Sequence, residues 1–415
     1  MLTPSPSQAR PRRAEERPPF ECIALLLQGG GALGSYQAGV YHALAEANLH
    51  PDWVAGISIG AINSALIAGN PPERRVDRLR EFWEAVSDSP FGSAYLRSIH
   101  FTDEYRHFIN QARAFGVAMF GAPHFFAPRF PHPMFLPSSP VGALSVYDTA
   151  PLRMTLEQLV DFDRINSRQM RFSVGAVNVQ TGNFVSFDNA NQVIGPEHVI
   201  ASGSLPPGFP ATEVDNEYFW DGGLVSNTPL QWVLDTRPRQ DTLAFQVDLW
   251  NARGELPTDL AGAEVRRKEI IYSSRTRAAT NHVKRAQKLR MAFVNLIKQL
   301  PEEIRSQEDV KLLETEVDDR SATSSTSSTV RGNTRALPRT TSSPAGPWRN
   351  IGRPATTTPP GRSAIRKCSS RPTGPKASAP STSRRINGNS GSIARSAICG
   401  RGWAISGKVM RDEGK

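Results

Sequence analysis

Cysteine is scarce in this chain: three in 415 residues, with Cys22 near the start and Cys368 and Cys399 far along. Residues so few and so scattered build neither a disulfide framework nor a zinc site. The usage fits a reducing compartment. Long apolar runs are missing too, and no stretch approaches the roughly 18 residues that a spanning helix needs. The opening MLTPSPSQARPRRAEERPPF carries charge and proline but no apolar core of a secretory signal. These absences predict a cytoplasmic protein, with a peripheral place at the inner membrane surface as its lipid-associated option. Acids are missing from one region only. Residues 321–415 hold 17 Lys or Arg against 2 acids, so the first 320 keep 32 of the 49 basic and 37 of the 39 acidic residues. The overall +10 is thus a property of the tail. It is no sign of nucleic-acid binding by the folded part.

What is present is organised around WVAGISIGAINSA, Trp53–Ala65. A short apolar run meets Gly56-Ile57-Ser58-Ile59-Gly60, and small helix-compatible residues follow. The pattern predicts a strand, a sharp turn carrying Ser58, and a helix. Gly56 and Gly60 flank the turn because larger side chains would collide there. A lone GxSxG also fits an ordinary Gly-rich turn.

Upstream, the buried strand CIALLLQ runs into Gly29-Gly30-Gly31-Ala32-Leu33-Gly34, and SYQAGVYHALAEANL then reads as a helix. The loop's N–H groups are free to face an anion at that helix start. Three readings compete: close helix–strand packing, dinucleotide binding through Gly29, Gly31 and Gly34, and an oxyanion hole. Dinucleotide binding needs an acid at the end of the second strand, and here Asp52 precedes that strand. The oxyanion reading gains from Ser58, because two parallel strands joined by a helix put both turns at one sheet edge.

Further along, residues 73–87 read as a helix, and about 88–147 as an aromatic insertion rich in Phe, Tyr, His and Pro. This insertion could cover an apolar substrate or pack on its own domain. Its His107, His124 and His132 lack metal-ligand spacing. Met170–Phe187 reads as a hairpin around Thr181-Gly182. A short aromatic strand, Tyr218–Trp220, enters Asp221-Gly222-Gly223, and another buried strand covers Thr242–Leu249. Alternating strands and helices predict an α/β sandwich.

Residues 251–320 are expected to be helical. From Ala261 to about Leu300 the chain predicts a long basic helix. Its apolar face is Ala286, Leu289, Phe293, Leu296, Ile297 and Leu300, with Lys284, Arg285, Lys288 and Arg290 nearby. Such a helix either packs on the domain or lies on an anionic membrane surface. Residues 1–20 and 321–415 read as disordered. Ser and Thr supply 28 of the last 95 residues, and the bias changes abruptly near Ser321. A second reading of that tail is a segment translated out of frame. The gene's other frames would then encode a patterned continuation containing acids.

Taken together, the loop at Gly29–Gly34, the turn at Gly56–Gly60 and Asp221–Gly223 resemble the three motifs of the patatin-like phospholipases. ASGSLPPGFP before the third motif and Asn227-Thr228-Pro229 after it resemble the family's usual setting. The likeness spans about residues 23–250, so a patatin-like domain is expected over 21–250. It implies a three-layer α/β sandwich with a mostly parallel sheet. It also implies Ser58 as nucleophile, Asp221 as its proton acceptor in a two-residue dyad, and Gly29, Gly30 and Gly31 as oxyanion hole. Gly34, Gly56, Gly60, Gly222 and Gly223 complete the motifs. The implied substrates are lipid or phospholipid esters, with no metal or other cofactor. Two alternatives stay open: a Ser58–Asp221–His282 esterase, and a non-catalytic lipid-binding protein on the same fold.

Overall fold

The structure, a computed structural model, describes residues 17–87, 116–117, 119–135, 144–236, 240–316, 322–328 and 404–406. Most of the N-terminal segment, much of the aromatic insertion and nearly all of the basic tail lie outside these residues, as do Cys368, Cys399 and His107.

The first strand explains the architecture. β1, Cys22–Leu27, is buried at every position. Alternate side chains of a strand face opposite ways, and here both faces are covered. Ile23, Leu25 and Leu27 enter one apolar cluster, while Cys22, Ala24 and Leu26 enter another. A continuous apolar run is what a strand between two helical layers needs. The first cluster is filled by α1 (Ser35–Glu46), α2 (Ile59–Ala68) and α3 (Pro72–Ser87), with α4 (Ala150–Leu159), α5 (Phe162–Asn166) and α6 (Pro196–Gly203). The second is filled by α7 (Leu230–Asp235) and by Val283 of α8 (Leu260–Ile297). The expected three-layer α/β sandwich is present.

The remaining strands are β2 (Trp53–Ile57), β3 (Ala127–Pro128), β4 (Tyr147–Asp148), β5 (Arg171–Asn178), β6 (Phe184–Asp188), β7 (Thr212–Val214), β8 (Glu217–Asp221), β9 (Thr242–Asp248), β10 (Ala322–Ser328) and β11 (Ala404–Ser406). The main sheet runs β11-β10-β9-β1-β2-β5-β8-β7, with β6 also on β5. The pairs from β11 to β5 are parallel; β5–β6, β5–β8 and β7–β8 are antiparallel. Short helices α9 (Glu302–Arg305) and α10 (Glu308–Glu316) follow the long one.

Two expectations change. Ten residues of the tail are strands: β10 is added to the edge of β9, and β11 to β10. Strand addition works through backbone N–H and C=O groups, so no apolar alternation announces it. The long helix α8 forms as expected, but with a different face inward. Its buried residues are Ser273, Thr276, Val283, Gln287 and Ile297. Of the apolar face read from the sequence, Leu289, Phe293 and Leu296 are 53%, 39% and 54% exposed, whereas Ile297 is buried. Polar partners on the domain, described below, decide the helix's rotation.

The described part of the insertion packs by its aromatics. Phe125, Phe126, Tyr147 and Phe209 form ring contacts 4.6–6.1 Å apart. They tie the insertion to the turn that precedes β7 and β8.

Candidate active site

Ser58 stands between β2 and α2 with φ 55° and ψ −122°. A non-glycine residue in this region is strained by about 1–3 kcal/mol, held only because its surroundings over-determine it. Those surroundings are visible. The Ser58 N–H donates to Ser202 Oγ at 3.0 Å, and that hydroxyl donates to Gly175 O at 2.6 Å. A Cβ on Gly60 would collide with the carbonyl oxygen of Leu27. That contact brings the start of α2 against the end of β1, beside the Gly-rich loop.

Asp221 ends β8, 163 residues beyond Ser58 by number, and β5 brings the two together. In the parallel pairing Gly175 lies opposite Ile57; one step further along β5, Ala176 lies opposite Asp221. Ala176 also pairs with Val185 of β6. A strand residue has two lateral neighbours, so β8 takes over the edge that β2 leaves. The carboxylate at the end of β8 therefore arrives beside the residue that follows β2. Its Oδ1 accepts from the Gly223 N–H at 2.7 Å, and the Ser58 side chain acts on the carboxyl as a further hydrogen-bonding neighbour. Asp221 is buried, which pushes its carboxyl up from 3.8 to about 6, while the bonds from Ser58 and Gly223 pull the other way. A carboxylate in that range is a base at neutral pH, matched to accepting a proton.

The Gly-rich loop divides its labour. The Gly29 N–H donates to Asn227 O at 3.3 Å, and Gly29 O accepts from Asn227 Nδ2 at 2.9 Å and Trp250 Nε1 at 2.8 Å. Its N–H is therefore engaged within the protein. Gly30 and Gly31 have no N–H partner among the described residues. Gly31 has φ 55°, a left-handed conformation that suits glycine. The loop's ends are pinned by a buried network. Gln37 Nε2 donates to Gln28 O at 2.6 Å; Asn63 Nδ2 donates to Gly34 O at 3.0 Å and Gln37 Oε1 at 2.8 Å; Trp83 Nε1 donates to Asn63 Oδ1 at 3.1 Å.

This chain belongs to the patatin-like phospholipase family. The family profile of that description matches residues 25–234, and a second, described as patatin phospholipase, matches 270–323. Patatin-like phospholipase domain-containing protein 6 of Homo sapiens is 39% identical over 93 residues, 19% of this chain and 7% of that protein. The putative patatin-like phospholipase domain-containing protein M110.7 of Caenorhabditis elegans is 41% identical over 61 residues, 15% of this chain and 6% of that protein. The matched segments thus span less than a tenth of these relatives. Among solved structures, VipD from Legionella pneumophila aligns with a TM-score of 0.35 at 14% identity, covering 84% of this chain and 66% of that one. The ExoU–SpcU complex of Pseudomonas aeruginosa aligns with a TM-score of 0.26 at 18% identity, covering 73% and 59%.

The second match falls largely on α8, which reaches the site of this patatin-like domain. Gln28 Nε2 donates to Thr276 Oγ1 at 2.7 Å, the Thr228 and Thr276 hydroxyls lie 2.9 Å apart, and Gln28 Oε1 accepts from Leu249 N at 2.6 Å. Tyr272 stacks near Trp250, with ring centres 5.1 Å apart. Burial raises its pKa, and the negative charge of Asp221 adds to the rise. Sequence reasoning missed Gln28, Ser202, Trp250, Tyr272 and Thr276 as parts of the site. Of these only Ser202 stood in a motif flank that could have flagged it. His282 lies exposed on α8. Among the described residues no cluster of His, Cys, Asp and Glu could hold a metal, and no helix is long and apolar enough to cross a membrane.

Proposed function

We propose that this patatin-like domain is a serine lipid acyl hydrolase, phospholipase A-like, that works through Ser58 and Asp221. The observation that carries the reading is a strained serine set beside a buried carboxylate at a sheet edge, with its side chain a hydrogen-bonding neighbour of that carboxyl. Serine hydroxyl is a poor nucleophile until a base takes its proton. Asp221 takes it as Oγ attacks the ester carbonyl. The oxyanion that forms meets the N–H groups of Gly30 and Gly31. The alcohol leaves with a proton returned by Asp221, and water then releases the acyl group with Asp221 as base again.

The pairing of Ser58 with Asp221 and the exposed setting of His282 favour the dyad over a Ser-His-Asp arrangement. Arg277, Arg285 and Lys288 are exposed along α8, as are Leu289, Phe293 and Leu296. That composition supports peripheral contact with an anionic membrane surface.

The deciding experiment is fluorophosphonate labelling of the wild type, Ser58→Ala and a chain ending near Arg320. Label on the first and third but not on Ser58→Ala is the expected pattern. A well-folded wild type that takes no label would move the reading to a lipid-binding protein without catalysis.

A further inference from the structure

We infer that Arg275, carried on α8, is a positioning residue that holds the turn on which Asp221 depends; the inference rests on the Ser58–Asp221 reading above. The Oδ1 of Asp221 accepts from the N–H of Gly223, inside the 3-10 turn Gly222–Leu224. The conformation of that turn therefore aims the carboxylate. The turn closes poorly by itself. The N–H groups of Val225 and Ser226 both go to Gly222 O, which leaves the carbonyls of Gly223 and Leu224 without a backbone partner among the described residues. Arg275 Nη1 fills both places, at 3.0 Å to Gly223 O and 2.8 Å to Leu224 O.

The Gly223 residue thus has its N–H on the carboxylate and its carbonyl on the guanidinium. Among the described residues no acid pairs with Arg275, so its hydrogen bonds go to this turn. Charge-assisted bonds of this kind are the stronger class, and a cation is well suited to orphaned carbonyls at the end of a helical turn. The neighbours of Arg275 set its reach. Thr276 is tied to Gln28 and Thr228, and Tyr272, one turn earlier, stacks near Trp250. α8 is therefore locked in rotation at the place where Arg275 leaves it. Neither the GxSxG turn nor the Gly-rich loop contains this restraint. It comes from a helix outside the three motifs.

The test uses the full chain, with R275Q, R275K and the wild type assayed on p-nitrophenyl butyrate and on phosphatidylcholine in mixed micelles. Expected for R275Q is a fall in kcat of roughly 10- to 100-fold on both esters, the scale of a slight misplacement of a reacting group, with KM within about twofold. R275K keeps a cationic donor and should recover most of kcat. Hydrogen exchange of peptides spanning 221–228 should speed up in R275Q and return toward wild type in R275K. This readout needs no turnover, so it separates a failed dyad from a failed positioning role. Unchanged exchange with unchanged kcat would overturn the inference. So would a loss confined to KM for the phosphate-bearing substrate, which would mean contact with the head group instead. Should R275Q not fold, R275K decides alone: a wild-type melting temperature with kcat reduced as deeply as tenfold also overturns it.

Discussion

Two helices meet the loops of the candidate site, and they do so through opposite chemistry. α2 follows Ser58 and is buried along all ten of its residues, from Ile59 to Ala68. Its place is set by apolar packing in the larger cluster, where Ile62, Leu66 and Ile67 are almost wholly enclosed. α8 is 38 residues long, and its buried stripe is mainly Ser273, Thr276 and Gln287, with Val283 and Ile297. Apolar burial is strong and tolerant of direction; hydrogen bonds between buried groups are modest in net energy and strict in geometry. Damage to α2 should therefore appear as lost stability. Damage to α8 should appear as misplaced loops in a chain that still folds.

The largest expected effect is at the junction of α2 with β2. Ser58→Ala and Asp221→Asn should each lower kcat by about 10⁴-fold without unfolding the protein, measured with a chromogenic ester and a melting curve; near-normal turnover in either would remove the dyad. The same carboxylate sets a pH dependence. A base whose folded pKa is about 6 is protonated below that value, so activity should fall as pH drops through about 6. Stability follows with the opposite sense. Because the folded pKa lies above 3.8, proton uptake stabilises the fold at low pH, and that contribution is lost as pH rises through about 6. Asp221→Asn should therefore gain stability over wild type between pH 4 and 7, by about 3 kcal/mol at most; urea titrations at the two ends check the sign.

Ile62→Ala tests α2 itself. A cavity in that cluster should cost about 2–5 kcal/mol and leave kcat per folded molecule nearly intact. Thr276→Val tests α8. It removes the shorter bonds of Gln28 Nε2 and the Thr228 hydroxyl and leaves them only their mutual contact at 3.4 Å, at a cost of about 1–3 kcal/mol, and kcat should fall more than stability alone explains. If the two variants behaved alike, the contrast between the helices would be broken. The smallest effect belongs to the outer face of α8. Phe293→Ser should change stability by about 0.5 kcal/mol or less, and weaker sedimentation with phosphatidylglycerol vesicles would mark that face as the membrane contact.

The parts of the fold that sequence shows well are those with a local signature. The run at Cys22–Leu27 signals a strand covered on both faces, and the hairpin around Thr181-Gly182 forms as β5 and β6. The three motifs announce their turns by their glycines, yet only Gly56 and Gly223 answer contacts a few residues away; Gly34 meets Ile59, Gly60 meets Leu27 O and Gly222 meets Gly175 O. α8 was legible as a helix but not in its rotation. A polar buried stripe carries no apolar period, and the apolar residues that do repeat, Leu289, Phe293 and Leu296, face outward. Gln28, Trp250 and Thr276 were silent for the same reason, since each works through a partner remote in the chain.

Sequence by itself determined the local conformations: the small residues at 56–60 make the elbow, the glycines at 30 and 31 leave backbone N–H groups open, and Asp221 ends a short aromatic strand. Only tertiary structure decided that these belong to one site. β5 pairs with β2 up to Gly175 and with β8 from Ala176, and this single step in register sets Asp221 beside Ser58. A turn is written in the few residues that form it, whereas register depends on how whole strands find their lateral neighbours, which no short stretch of sequence contains.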